Sequence, residues 1–345
     1  MNKTKYIYTL FVAIPIFMFT QEHATLDVGS SVGQIGKPDS QVFIGYASSC
    51  SSTKGDTIYI SDMQNAEVLA CSKDGKLHFR IGRRGQGPGE FQRPECVIWS
   101  NGHLYVSDTR MNRISIFMSD GTYEKTIRIQ GVPKDMEVIG SRLFVGVMSP
   151  TNIVFAVNMN DAEDQTTILT YNHTSLASTP MMKRLSQPIL NIIGDKLYVA
   201  MPNIGCIFEI YNNNIVKSYE PKNEWTESYW NYVDEIERRG DRGSITPTVF
   251  DGITTWQNKY LLIQFRNRQL GNLPSTAVVL NASSGAEVGP RIIAASSGFF
   301  HLTELPNGLF AWALNGEAMV YLFDFSTLSS YYSQNRRLDS RLLGN

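Results

Sequence analysis

The sequence has almost no net charge and lacks the spacings that build common metal centres. Its 31 basic and 32 acidic side chains give a formal net charge of −1, so bulk charge gives no support for a nucleic-acid-binding protein. Four cysteines are present, but no C-x-x-C or H-x-x-x-H spacing occurs, which argues against a zinc site. No Ser-His-Asp pattern is visible either, so the residues do not point to nucleophilic catalysis.

Long apolar runs are scarce, apart from one at the N-terminus. Residues 6–19 are apolar and follow Lys3 and Lys5, and the run is too short to span a bilayer comfortably. We therefore predict a signal peptide over residues 1–24, the alternative being a buried first strand. No cysteine stands at the end of the run, which disfavours a lipid anchor. We expect a periplasmic or secreted protein with no stable membrane insertion once the leader is removed.

Four cysteines in an exported chain raise the question of disulfides. Cys50 and Cys71 fall on predicted strands that have a third strand between them. Two strand spacings separate them by about 10 Å, too far for a disulfide. We therefore predict that the cysteines are free, buried thiols, namely Cys50, Cys71, Cys96 and Cys206.

A repeat with an offset of 46 residues is the most informative pattern in the chain. Residues 56–62 read DTIYISD, and residues 102–108 read GHLYVSD. Each unit contains four short runs rich in β-branched and aromatic residues, separated by turn signals such as Asn101-Gly102 and Asp120-Gly121. Four antiparallel strands in a unit of this length are typical of a propeller blade.

The second strand of the unit can be followed through six copies. Its central aromatic residue or leucine recurs at Tyr59, Tyr105, Phe144, Tyr198, Leu262 and Phe310. The last copy has only three apolar runs, and a spare run lies at residues 25–35. We predict an all-β, six-bladed propeller, closed by this N-terminal strand and forming one domain over residues 25–345. Closure removes strand edges that would otherwise pair with other chains.

The segment over residues 80–121 resembles the NHL-repeat fingerprint. It combines a G-x-G-P-G-E-F-x-x-P turn, a YVSD strand and an R-I-x-x-F-x-x-D-G strand. The whole chain is similar to TolB-like six-bladed propellers exported by Bacteroidetes-type bacteria. This resemblance implies a fold and a compartment more than a chemistry.

Most arginines fall on the predicted face that carries the blade-to-blade connections, here called face one. Guanidinium groups pair bidentately with carboxylate, sulfate or phosphate. The candidate ligand-binding arginines are Arg83, Arg84, Arg110, Arg113, Arg239 and Arg266. The alternative is a solvated surface that nearby acidic residues neutralise.

Residues 221–246 form an insertion far longer than an ordinary blade connection. Apolar residues recur there at helical spacing, which predicts an amphipathic helix at about 223–239. Either the helix packs on the ring, or it is a lid whose Trp225, Tyr229 and Trp230 stack on a ligand. We hypothesise that an acidic ligand lies between this insertion and the Arg83-Arg84 turn.

Polar residues on the predicted first strands face the central channel. They are Glu95, Asp135, Asn191, Asp251 and His301. Their oxygens could bind Ca²⁺ with His301 as a base, or they could simply hydrogen-bond trapped water. We favour a monomeric, non-catalytic binding module without a cofactor, for a glycan, peptide or protein partner and not for nucleic acid. The alternative is a metal-dependent hydrolase similar to the six-bladed lactonases.

Overall fold

The computed structural model shows a chain built mainly from short β-strands. The 25 strands in its described residues form six separate sheets. The described residues are 25–27, 33–36, 42–53, 55–171, 187–221, 226–227, 229–231, 235, 238, 248–250, 252–265, 275–289, 291–294, 302–304, 309–313 and 320–324.

Two short strands precede three four-stranded antiparallel blades. The N-terminal pair is β1 (Thr25–Asp27) and β2 (Gly33–Ile35). Blade one comprises β3 (Ala47–Ser52), β4 (Thr57–Asp62), β5 (Glu67–Ser72) and β6 (Leu77–Ile81). Blade two comprises β7 (Pro94–Ser100), β8 (His103–Asp108), β9 (Arg113–Met118) and β10 (Tyr123–Arg128). Blade three comprises β11 (Val132–Ile139), β12 (Arg142–Met148), β13 (Asn152–Asn158) and β14 (Asp161–Thr170).

The remaining strands form three further blades. Blade four comprises β15 (Ile189–Ile193), β16 (Lys196–Met201), β17 (Cys206–Tyr211) and β18 (Asn214–Tyr219). Blade five comprises β19 (Gly252–Trp256), β20 (Tyr260–Phe265), β21 (Ser275–Asn281) and β22 (Arg291–Ala294). Blade six comprises β23 (Leu302–Glu304), β24 (Leu309–Ala313) and β25 (Val320–Asp324).

The six blades close into a ring, as the repeat predicted. Each first strand contacts the first strand of the next blade, in the order β3, β7, β11, β15, β19, β23 and back to β3. Strand β2 pairs antiparallel with β25 and completes blade six, which confirms closure by the N-terminus. Strand β1 was not anticipated as a separate element: it pairs parallel with β22 and adds a fifth strand to blade five.

The burial of each strand reflects its place in the blade. Strand β4 is buried along nearly its whole length, because both of its faces pack against neighbouring blades. The outermost strand β6 instead alternates between partly buried and exposed residues, as expected for a strand with one face in solvent. The hydrophobic core therefore lies between blades, as in the cluster that joins Tyr59 and Val68 to Val97 and Phe117.

The insertion contains the predicted helix as far as its residues are described. Helical conformation is assigned at residues 226–227, 229–231, 235 and 238. Tyr229 is buried in the cluster between blades four and five, and Trp230 packs against the same cluster. These contacts favour the packing interpretation of the helix.

All four cysteines are free and buried, which confirms that prediction. Cys50 and Cys71 lie on β3 and β5, on opposite sides of β4, as the strand count required. Burial raises the pKa of the Cys71 and Cys206 thiols to about 12, so both remain protonated and poorly nucleophilic at neutral pH.

Candidate functional site

An aspartate at the end of each repeated S-D motif fixes the loop that enters the same blade. The Asp62 carboxylate accepts hydrogen bonds from the backbone N–H groups of residues 45 and 46, at 2.7 and 3.1 Å. Asp108 accepts the same pair of bonds from residues 92 and 93, at 3.0 and 2.9 Å. Both aspartates are fully buried. The motif that revealed the repeat therefore positions loops on face one.

The glycine-rich segment between blades one and two is a self-contained turn. The Phe91 ring packs so closely against Gly82, at φ +75°, that any Cβ there would collide with it. Glu90 accepts hydrogen bonds from the Gly87 N–H at 3.0 Å and from Arg83 Nε at 2.9 Å. These two bonds, the Gly87 bond above all, lower the pKa of Glu90. Since the segment leads into β7 and opens no helix, it is not a phosphate cradle.

Arg113 stabilises this turn through hydrogen bonds to its backbone carbonyls. Its guanidinium donates to the backbone carbonyls of Gln86 at 2.9 Å and Glu90 at 2.6 Å, and lies 3.5 Å from Asp108 Oδ2. The side chain is only 10% exposed. Arg113 is therefore a structural residue of the turn, and little of its surface can reach a ligand.

Three arginines, Arg84, Arg93 and Arg110, line an open cleft of about 360 Å³ on face one. We call it the arginine cleft. Its lining residues are Tyr46, Met63, Gln64, Arg84, Gln92, Arg93 and Arg110. They come from the loops that enter blades one and two and from the loops between the second and third strands of those blades. None of these described lining residues carries a carboxylate.

The charges of the cleft are only partly compensated. Arg84 donates to the backbone carbonyls of Gln64 at 2.6 Å and Gln92 at 3.5 Å, so no anion neutralises it there. Arg93 Nε lies 3.8 Å from Glu95 Oε2 and 2.8 Å from the sulfur of Met63. Arg110 is exposed, and in the described part of the chain no ion pair or hydrogen bond engages its guanidinium.

Sequence reasoning singled out Arg84 and Arg110 but missed the uncharged lining residues. A signal for them existed in the repeat. The offset of 46 places Gln64 at the blade-one position that Arg110 occupies in blade two, each two residues after the S-D aspartate. Tyr46 and Arg93 are 47 residues apart, but they are equivalent in the structure, since the backbone N–H of each donates to its blade's aspartate. The cleft is therefore lined by matching loop positions of two adjacent blades.

The insertion lies on the opposite side of the ring from the arginine cleft. It joins blades four and five, whereas the Arg83-Arg84 turn joins blades one and two, three blades away in a ring of six. The Tyr229 hydroxyl donates to the Asn203 carbonyl at 3.1 Å, and Arg238 pairs with Glu235 at 2.8 Å. The described helical residues therefore lie far around the ring from the turn, and a ligand shared with the rest of the insertion stays a prediction. The candidates Arg239, Arg266 and Trp225 lie outside the described residues.

The described channel residues join neighbouring blades. Glu95 Oε1 accepts from Lys134 Nζ at 2.7 Å, which links blades two and three. Asp135 Oδ2 accepts from the Leu190 N–H at 2.8 Å, which links blades three and four. Asn191 donates to the Ile253 carbonyl and accepts from the Thr255 N–H, both at 3.1 Å, and so links blades four and five.

These bonds occupy oxygens that a cation would need. Among the described residues no group of three His, Cys, Asp or Glu side chains could hold a metal ion. Asp251 and His301 lie outside the described residues, so the calcium site stays a prediction. A cation in the channel would have to displace the bonds that Asp135 and Asn191 make between blades.

Glu137 is a channel-side carboxyl that sequence reasoning did not single out. It lies on the innermost strand β11 and keeps part of its surface accessible to water. The surrounding protein nevertheless raises its pKa well above the ordinary value, mainly by desolvation and further through the negative charge of Asp135. Glu137 therefore keeps its proton to a higher pH than an ordinary glutamate does.

Six closed blades with loop-built clefts on one face define this chain as a six-bladed β-propeller. The model of the 6-bladed beta-propeller family DUF5128 matches residues 39–249, which is more than half of the chain. The chain therefore belongs to this family. The narrower resemblance to NHL-repeat and TolB-like propellers stays a prediction.

Solved structures share the fold at low sequence identity. A Bacteroides fragilis protein described as exported is 10% identical, with a TM-score of 0.56, and the match covers 87% of this chain and 99% of that one. A Bacteroides vulgatus protein of the duf4221 family is 10% identical, with a TM-score of 0.54 and coverage of 85% and 96%. Virginiamycin B lyase from Staphylococcus aureus is 11% identical, with a TM-score of 0.53 and coverage of 84% and 87%.

At such identities the similarity establishes the fold and carries no activity over to this chain. No curated protein matches the sequence. Within the described residues, no helix has the length and apolar character needed to cross a membrane.

Proposed function

We propose that this protein is an exported binding module that holds an anionic glycan, peptide or protein at the arginine cleft, without catalysing a reaction. The observation that carries the proposal is the cleft itself: loops that enter and connect the strands of blade two contribute three guanidinium groups to one surface depression, and no carboxylate is among its described lining residues. Loops that converge on one face of a rigid scaffold are the usual place for binding residues.

Export rests on the N-terminal sequence together with the similarity to an exported propeller. A positively charged start followed by a short apolar run is the pattern of a secretory leader. Mass spectrometry of the protein recovered from the periplasm or medium should show a mature N-terminus near residue 25. An intact Met1 in cytoplasmic protein would contradict export.

The binding role is tested with matched double variants. Immobilised wild-type protein, Arg84→Ala with Arg110→Ala, and Lys76→Ala with Arg142→Ala are exposed to panels of acidic glycans, acidic peptides and acidic proteins. The second pair removes equal charge from exposed positions on the opposite face: Lys76 precedes the outermost strand β6 and Arg142 begins β12.

We expect the wild type to retain at least one anionic ligand and to release it as salt is added, because exposed charges are screened. The cleft variant should bind about tenfold more weakly or worse, with an unchanged thermal midpoint, while the control variant binds normally. Equal losses in both variants, normal binding by the cleft variant, or no anionic ligand at all would contradict the proposal.

A further inference from the structure

An exposed aromatic residue stands beside the arginine cleft and indicates what kind of anion it binds. Phe43 is 67% exposed, the largest value among the exposed large hydrophobic side chains of the described residues. It precedes Tyr46, a lining residue, by three positions, so their Cα atoms are at most about 11 Å apart. Gly45, between them, lies against the side chain of Gln64, another lining residue. This short chain separation places the Phe43 backbone near the cleft.

The Phe43 ring is held in this position by its neighbours. Val42 and Ile44 are fully buried in the core of blade one, which anchors the backbone on both sides. Asp62 fixes the next two residues through their N–H groups. The ring is thus presented on an ordered segment, and a ligand that covers it would gain apolar contact without first ordering a loop.

The polar groups still available in the cleft suit hydroxyl groups as well as an anion. In the described part of the chain nothing hydrogen-bonds to the side-chain amide of Gln64. The Gln92 amide nitrogen donates to the Gly85 carbonyl at 3.0 Å, which leaves its oxygen as an acceptor. An amide both donates and accepts, and so matches hydroxyl groups, whereas the Arg110 guanidinium matches a carboxylate or sulfate.

The cleft offers little to a peptide backbone. Extended peptides commonly bind by adding a strand to a free sheet edge. The outermost strands β6 and β10 stand at the far ends of their sheets from the innermost strands β3 and β7, and the cleft is built from loops on face one. A ligand in the cleft would therefore contact side-chain amides and guanidinium groups, with Phe43 nearby.

We propose that the ligand of the arginine cleft is an acidic saccharide. Its carboxylate or sulfate contacts Arg110 and Arg84, its hydroxyl groups contact the amides of Gln64 and Gln92, and the face of a sugar ring covers Phe43. This inference rests on the proposed binding function and narrows it to one ligand class. The tyrosine and methionine of the lining add apolar surface to the cleft itself.

Calorimetric titration with matched ligands tests the inference. The acidic saccharides are oligosaccharides of galacturonate, hyaluronate and chondroitin sulfate. Methyl-esterified oligogalacturonate is the uncharged counterpart of the first, and a glutamate peptide of equal charge is the non-sugar counterpart. The proteins are wild type, Arg110→Ala, Phe43→Ala and the opposite-face control Arg142→Ala, each checked by its thermal midpoint.

We expect one or more of the acidic saccharides to bind the wild type about tenfold more tightly than the glutamate peptide. For whichever saccharide binds, Arg110→Ala should weaken binding about tenfold. If that saccharide is galacturonate, its methyl esterification should weaken binding by about the same factor. Phe43→Ala should weaken binding about threefold to tenfold, and Arg142→Ala should have no effect.

The possible failures are distinguishable. If the glutamate peptide binds through Arg110 and no saccharide does, the ligand class is wrong while binding at the cleft stands. If an acidic saccharide binds but Phe43→Ala changes nothing, Phe43 is not part of the site and this inference is overturned. If no anionic ligand binds at all, the proposed function itself fails.

Discussion

Two connections between blades lie on face one and differ in what they leave exposed. Residues 82–93 join blades one and two in a tight turn closed by its own hydrogen bonds, beside which the arginine cleft stays open. Residues 221–246 join blades four and five and contain a helix whose Tyr229 enters the core between them. A long connection brings enough apolar surface to cover a blade junction, while a short one leaves charged groups in solvent. Under the proposed binding role, the short connection marks the binding side of the ring.

The largest effect should come from removing the aspartate that positions the short connection. Asp108→Ala leaves two backbone N–H groups and Arg113 without their buried acceptor, so unfolding free energy should fall by about 3–5 kcal/mol. Chemical denaturation monitored by tryptophan fluorescence measures this loss of unfolding free energy. The exposed Asp56→Ala, which loses only a surface pair with Lys73, should cost less than about 1 kcal/mol. Similar costs for the two variants would show that Asp108 does not hold the turn.

A smaller loss is expected at the inter-blade link on the insertion side. Asn191→Ala removes the bonds to Ile253 and Thr255 and should cost about 1–3 kcal/mol. The same variant separates this structural role from the calcium alternative. If Asn191 only joins blades, added Ca²⁺ and a chelator leave the thermal midpoint of the wild type unchanged. A midpoint that rises with Ca²⁺ in the wild type but not in the variant would favour a metal site.

The packing role of the helix predicts a modest effect at one hydroxyl group. Tyr229→Phe keeps the buried ring and removes the bond to the Asn203 carbonyl, so stability should fall by about 1 kcal/mol. Binding at the arginine cleft should not change, because the helix stands three blades away. Weaker ligand binding with unchanged stability would instead support the lid interpretation. Both connections would then take part in binding.

The last prediction concerns Glu137, on blade three between the two regions, and gives the sign of the effect. Above about pH 4.3 the unfolded chain releases the Glu137 proton, while the folded state still holds it because its pKa is raised. The free energy of unfolding therefore falls as pH rises from about 4.3 towards the folded-state pKa. Glu137→Gln removes that penalty. The variant should be more stable than wild type at neutral pH and equal to it near pH 4, in thermal unfolding across pH. Equal stability at all pH values would mean that Glu137 ionises normally.

The fold could be predicted because the repeat conserves the spacing of turn residues and of buried strand residues. Tyr59 and Tyr105 lie in second strands as predicted, and so does the degenerate copy at Leu262. Burial on both faces keeps such positions apolar even where the fingerprint is lost. The separate pairing of β1 with blade five was not foreseen, since a three-residue strand carries too little pattern to identify its partner.

The candidate site could be predicted only in part, because charge is visible in a sequence and contact is not. Arg84 and Arg110 stood out as arginines of face one, but nothing local distinguished them from Arg113, which the turn buries. Gln64 and Gln92 line the cleft through loop geometry that the aspartates impose. The hypothesis that the turn and the insertion share a ligand stays a prediction; the sequence pattern did not show that three blades separate the two connections.

The most direct test of the contrast is amide hydrogen exchange in the presence of the saccharide that binds most tightly. We predict slower exchange at residues 63–64, 83–93 and 109–112, which surround the arginine cleft, and no change at the described helical residues 226–227, 229–231, 235 and 238. Protection of the helix without protection of the turn would contradict it, because the ligand would then bind on the opposite side of the ring.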